Sequence, residues 1–121
     1  MAGKFEPKVP VNLDPPKDDI ISLEELAKAD GSAGQKAYVA IKGKIYDVSA
    51  NKAYREGGSY HVFAGKDASR ALAKTSTKAD DVRPEWEDLG EKEKQTLSDW
   101  DTFFSKRYNV IGILQGANNL E

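Results

Sequence analysis

"GGSYHVFAG", residues 57–65, sets Tyr60 beside the chain's one histidine, His61, directly after a glycine pair. Three of the five tyrosines, Tyr54, Tyr60 and Tyr108, stand at loop or element ends, where side chains often bind rather than pack. A phenol with a pKa of about 10 serves either as an aromatic at a core edge or as an oxygen that holds something. Spacing alone reads each of the three first as a structural aromatic. Tyr38 and Tyr46 fall inside a strand pattern and read as core or half-buried residues. The other reactive groups point to no catalysis. Ser69 has no histidine base in prospect. "REGG", residues 55–58, lacks the lysine-serine pair and the strand-loop-helix setting of a phosphate loop. With no cysteine there is no disulfide, thiolate ligand or cysteine nucleophile.

The elements that must position these residues follow from composition and pattern. At 121 residues, 39% hydrophobic and 31% charged, the chain is one globular domain with a modest core. A net charge of -2 argues against wholesale nucleic-acid binding. The longest uncharged run, residues 109–120, is well short of the about 20 apolar residues a spanning helix needs, and no apolar signal segment opens the chain. Residues 1–19 hold four of the five prolines and read as a flexible lead, with the domain expected over 20–115 and a tail over 116–121.

Ser22 and Glu25 form a capping box for one short helix, with Leu23 and Leu26 facing inward and Gly31 as the stop. "YVAIKGKIYDV" reads as a β-hairpin turning at Lys42-Gly43. "AGKDASRALAKT" reads as a helix with Asp67 as N-cap and Ala71 and Leu72 buried. Asp88 with Glu91 reads as a second capping box, opening a long helix to about Arg107. Its stripe of Leu97, Trp100, Phe103 and Phe104 reads as core rather than pocket lining. Glu91, Glu93, Asp99 and Asp101 read as its solvated face, or else as an acidic docking surface for a basic partner. "YNVIGIL" supplies a last strand.

The stretch from "YVAIKGKIYDVSANKAYREGGSYHVFAGKDASRALAKTS" to "LSDWDTFFSKRYNVIGIL" resembles the membrane-associated progesterone receptor family, which includes the fungal damage resistance proteins. The resemblance covers about residues 20–114 and is carried by "FAGKDASRALA" and "LSDW". It implies an α+β cytochrome b5-like fold, a small mixed sheet with short helices forming a haem pocket. It implies ferric haem b as cofactor, with Tyr60 as the iron ligand. Tyr54 and Tyr108 fall where hydrogen-bonding partners of the haem are expected, and Arg107, next to Lys106, where a basic neighbour is expected. Cytochrome b5 itself clamps iron between two histidines, and this chain has one. Extended backbone over 59–62 would send Tyr60 and His61 to opposite sides, so His61 reads as a flanking residue.

The function implied is that of a non-enzymatic accessory protein supporting or regulating haem-thiolate monooxygenases of sterol synthesis. A single protein ligand leaves one haem face open, for a small ligand, a partner surface or haem-mediated self-association. A sterol-binding module and a b5-type electron carrier are the alternatives. With no anchor read in the chain, the expected place is the cytoplasm or the cytosolic face of the endoplasmic reticulum.

Overall fold

Between Tyr38 and Val48, successive side chains alternate between two apolar environments, interrupted only at Lys42-Gly43. Both turn residues adopt positive φ, 51° and 79°, the twist that suits a two-residue hairpin. The computed structural model describes residues 13, 15, 17–32 and 34–117. In it the hairpin is the middle of a five-stranded sheet. The strands are β1 (Ile20–Ile21), β2 (Tyr38–Ile41), β3 (Lys44–Asp47), β4 (Lys66–Asp67) and β5 (Asn109–Leu114). Their order is β1-β5-β3-β2-β4, parallel at both edges and antiparallel in the centre. Three helices accompany them: α1 (Leu23–Lys28), α2 (Ser69–Ala73) and α3 (Glu91–Ser105).

Each face of the sheet buries its own cluster. Val39, Ile41, Tyr46 and Val48 pack with α2, with Leu97 and Phe104 of α3, and with Tyr54 and Phe63 from the loops. Ala40, Ile45 and Leu114 pack on the other face with Leu26 of α1. A register shift at Ile45/Tyr46 admits Ile111 as an extra residue in β5, so Ile111 and Leu114 share one side despite their odd spacing.

The Ser22–Glu25 capping box forms as expected, with Glu25 N–H donating to Ser22 Oγ at 3.1 Å. Leu23 does not turn inward. Six residues make less than two turns, which bury one leucine, and Leu23 is left 67% exposed. The helix ends at Lys28, three residues before Gly31. Asp67 is not the N-cap of α2, since that helix starts one residue later, capped by Ala68. The buried Asp67 carboxylate instead accepts from Ser69 N–H and Oγ–H, at 2.9 and 2.6 Å, and from Gly43 N–H. Ser69 Oγ in turn accepts from Lys42 N–H at 2.7 Å, so the hairpin turn and the start of α2 are one hydrogen-bonded unit.

α3 opens at Gly90, whose N–H donates to Glu93 Oε1 at 3.2 Å, rather than at Asp88. Asp88 pairs with Arg70 at 2.9 Å, a tie between segments that no local pattern shows. Within the stretch read as a lead, Lys17 N–H already donates to the Val110 carbonyl and Asp19 accepts from Ile113 N–H, extending the β1–β5 ladder. The lead apart from residues 13, 15 and 17–19, and residues 118–121 of the tail, lie outside the described residues.

Asp101 is not a solvated acid. One carboxylate oxygen accepts from the buried Tyr46 hydroxyl at 2.7 Å and the other pairs with Lys44 Nζ at 2.7 Å, tying α3 to β3. Burial and the facing carboxylate push the Tyr46 phenol well above its ordinary value, so it stays a donor. An Asp101→Ala substitution leaves that hydroxyl without its acceptor and is expected to destabilise the fold by about 2 kcal/mol. The double variant Asp101→Ala with Tyr46→Phe, which removes the orphaned group, should recover part of the loss in urea unfolding.

Candidate functional site

Polar clamps, together with the packing of Tyr54 in the core, set the segment that carries Tyr54 and Tyr60. Asn51 caps a short 3-10 turn, Lys52–Tyr54: its side-chain oxygen accepts from Ala53 N–H and its amide donates to the Tyr108 hydroxyl at 2.8 Å. The Arg55 guanidinium donates to the Ser49 and Gln35 carbonyls, at 3.0 and 3.1 Å. The "REGG" arginine thus has a structural task. The chain then folds back so that Tyr60 N–H donates to the Ala53 carbonyl at 2.8 Å. Gly58 allows that approach, for a Cβ there would stand 2.3 Å from the same carbonyl oxygen.

Tyr60 precedes a second 3-10 turn, His61–Phe63. A period of three sets Tyr60 and Phe63 on one side, and their rings stack at 5.8 Å. Tyr54 lies beside them, 5.7 Å from Tyr60 between ring centroids and 6.3 Å from Tyr108. Tyr54, Tyr60 and Phe63 form one wall of a cleft of ≈ 140 Å³, closed by Ala71 and Leu72 of α2, by Thr75–Thr77 and by Trp100 of α3. Apart from the phenols and the three hydroxyl residues, the lining is apolar.

Only two of the lining residues titrate, and they differ in access. Tyr54 is 4% exposed, and burial pushes its phenol well above the ordinary value, with Tyr108 and Tyr60 adding to the shift. Tyr60 is 41% exposed while lining the same cleft. Of the two, Tyr60 is the one an incoming Lewis acid can reach.

The other sequence-selected residues stand outside the cleft lining. Tyr108 packs on Phe104, with its hydroxyl engaged by Asn51. The Arg107 guanidinium lies 3.7 Å over the Phe103 ring. His61 is on a 3-10 turn rather than the expected extended backbone. Its Nε2–H donates to the Asp30 carbonyl at 2.8 Å, and it lines a separate depression with Asp30, Gly65 and Lys66. The turn, not strand alternation, separates the two side chains. Trp100 corrects the reading of the α3 stripe: Leu97 and Phe104 are core, whereas Trp100 lines the cleft. Phe63 joins Tyr60 only through the 3-10 turn, which the expected extended backbone did not provide, and Thr75–Thr77 carries no local signal. Among the described residues no group of three His, Cys, Asp or Glu side chains could hold a metal ion, and the cleft lining itself contains no His, Cys, Asp or Glu, its titratable oxygens being the two phenols.

A family model described as Cytochrome b5-like Heme/Steroid binding domain matches residues 22–110. The chain belongs to this family. Among its members, Probable steroid-binding protein 3 of Arabidopsis thaliana is 50% identical over 93 residues, covering 75% of this chain and 93% of the relative. Cytochrome P450 regulator dap1 of Schizosaccharomyces pombe is 39% identical over 99 residues, covering 74% of this chain and 59% of the relative. A solved Arabidopsis thaliana structure, described as a cytochrome b5 like fold, superposes with a TM-score of 0.72 at 45% identity. It covers 79% of this chain and 90% of that one. The cytochrome b5-like fold expected from the sequence is therefore the fold of this domain. Several other curated relatives are longer proteins, of which the chain spans 37–54%.

Two outcomes follow from the clamps. Gly58→Ala should lower stability and displace Tyr60, seen as loss of slow exchange at the Tyr60 amide. The Ser32 hydroxyl and amide hold the Asp30 carboxyl below its usual range, with His61 contributing. A depressed folded pKa contributes stability above the unfolded pKa, and that stability is lost as pH falls through the folded value. Asp30→Asn should accordingly be less stable than the wild type near neutral pH, with thermal melts converging in acid.

Proposed function

We propose that this domain binds ferric haem b through the Tyr60 phenolate and acts as an accessory to haem-thiolate monooxygenases of sterol metabolism, without catalysis of its own. One observation carries the reading: a partly exposed tyrosine in the wall of a largely apolar, aromatic-walled cleft, next to a second phenol that burial keeps protonated. The donor set fits the group. Tyrosinate is a recognised haem ligand, and metal binding requires the deprotonated oxygen. Bound there, the haem supplies a ferric Lewis-acid centre, and a hard anionic donor favours Fe(III) over Fe(II). Tyr54, as a protonated neighbour, can donate a hydrogen bond that tunes the ligand oxygen. We assign Tyr108 and Arg107, which stand outside the cleft lining, to supporting the polar edge that a bound macrocycle would present.

The cleft volume of ≈ 140 Å³ is below the roughly 300–1,000 Å³ of common small-molecule pockets, so part of a macrocycle held at Tyr60 would stand outside it. That leaves a face for a partner or for haem-mediated self-association. The relative named a P450 regulator supports the monooxygenase as partner. Among the described residues no helix is long and apolar enough to cross a membrane, and several relatives are named membrane proteins. The place of action we assign is the cytoplasm or the cytosolic face of the endoplasmic reticulum.

Sterol binding in the same cleft is the second reading, favoured by the apolar lining and by the relatives named as steroid-binding. A b5-type carrier would need a second histidine, and the chain has one.

An absorption titration with ferric haem decides between these. The wild type should form a one-to-one complex with a high-spin charge-transfer band, lost in Tyr60→Phe. Tyr54→Phe should keep the band but bind about 10-fold more weakly. An unchanged spectrum in Tyr60→Phe would remove Tyr60 as the ligand, and sterol that leaves haem binding untouched would remove the shared-cleft reading.

A further inference from the structure

α2 ends in a Schellman motif, with Ser76 N–H donating to the Ala71 carbonyl at 2.8 Å and Thr75 N–H to Leu72 at 3.2 Å. The residue that closes this motif takes a left-handed conformation and is usually glycine. Here it is Thr75, at φ 52°. A β-branched residue in that region is a true outlier, and such strain persists mainly at ligand clamps and other functional sites.

The two backbone hydrogen bonds of the motif hold Thr75 in place, but its side chain adds none. Its side chain is exposed, and among the described residues its hydroxyl makes no hydrogen bond. Neighbouring Ser76 differs: its hydroxyl donates to Asp81 at 2.7 Å and accepts from Lys78 N–H at 3.1 Å, which fixes the loop. Lys42, the other non-glycine residue described at positive φ, differs as well, because its ammonium lies 4.5 Å over the Trp86 ring. What Thr75 does line is the cleft, together with Tyr60, Phe63 and Trp100.

The geometry points to Thr75 as a ligand-contacting residue, whose strained backbone is retained because it presents a hydroxyl to the polar edge of the molecule held at Tyr60. With Thr77, it gives an otherwise apolar cleft a hydrogen-bonding rim. The matching ligand has a flat apolar body and a polar margin such as a carboxylate. This rests on the reading of the cleft as a ferric-haem site.

Thr75→Gly separates a binding role from a structural one. Relief of the strained φ should raise the Tm of the haem-free protein by roughly 3–8 °C. The same variant should bind ferric haem about 3–10-fold more weakly, the effect of one lost hydrogen bond, with the phenolate charge-transfer band unchanged. Thr75→Asn tolerates the left-handed conformation and keeps a polar group, so it should gain stability while retaining more affinity than the glycine variant. Equal haem affinity in wild type and Thr75→Gly overturns the ligand role, and so does a lower Tm in Thr75→Gly, which would show that the side chain supports the fold. A wild type that binds no ferric haem overturns the haem reading itself, a result distinct from either.

Discussion

Phe104 is the contact on which the rest of the molecule depends. Its fully buried ring meets Tyr46 of the sheet at 5.4 Å, Tyr54 of the first 3-10 turn at 6.1 Å, Tyr108 at 5.2 Å and Trp100 at 6.4 Å. Edge-to-face aromatic pairs are worth about 0.5–1.5 kcal/mol each beyond their burial. The larger effect is geometric: one side chain of α3 fixes the distance between the helix, the sheet and the segment that carries the candidate ligand. The Tyr46–Asp101–Lys44 link, one turn earlier on the same helix, fixes its rotation.

The cleft exists because two kinds of force meet there. α2 and α3 supply an apolar wall by burial, which is tolerant of detail. The tyrosine segment is supplied by discrete hydrogen bonds from Asn51, Arg55 and the Ala53 carbonyl, which are not. A binding group carried on a loop but held by backbone clamps combines access with precision. It also separates the two phenols: burial holds Tyr54 neutral while Tyr60 stays open to what enters.

The family's heme/steroid description joins two ligand classes that share flat apolar bodies with polar margins. A cleft with aromatic walls, a hydroxyl rim and one accessible phenol has features suited to both. The phenol is where the two would differ, since it could ligate the metal of a haem but only hydrogen-bond to a steroid. His61, the residue that composition makes most conspicuous, is engaged with Asp30 in a different depression.

The sequence by itself determined the local elements: the hairpin at Lys42-Gly43, the Ser22–Glu25 box, the inward stripe of α3 and the last strand. Each is written in periodicity and capping chemistry that span only a few residues. The motifs that carry the family resemblance made the cytochrome b5-like fold legible as well. Only the tertiary structure decided which member of an apolar stripe lines a cleft, so that Trp100 and Leu97 part company. It also turned Asp101 from a solvated acid into the partner of a tyrosine 55 positions away, and Asp88 from a cap into the partner of Arg70. Leu23, inward by pattern, stays exposed because so short a helix can bury only part of one face. For the other three the reason is shared: local pattern says which side of an element is apolar or charged, whereas what that side meets depends on contacts between segments far apart in the chain.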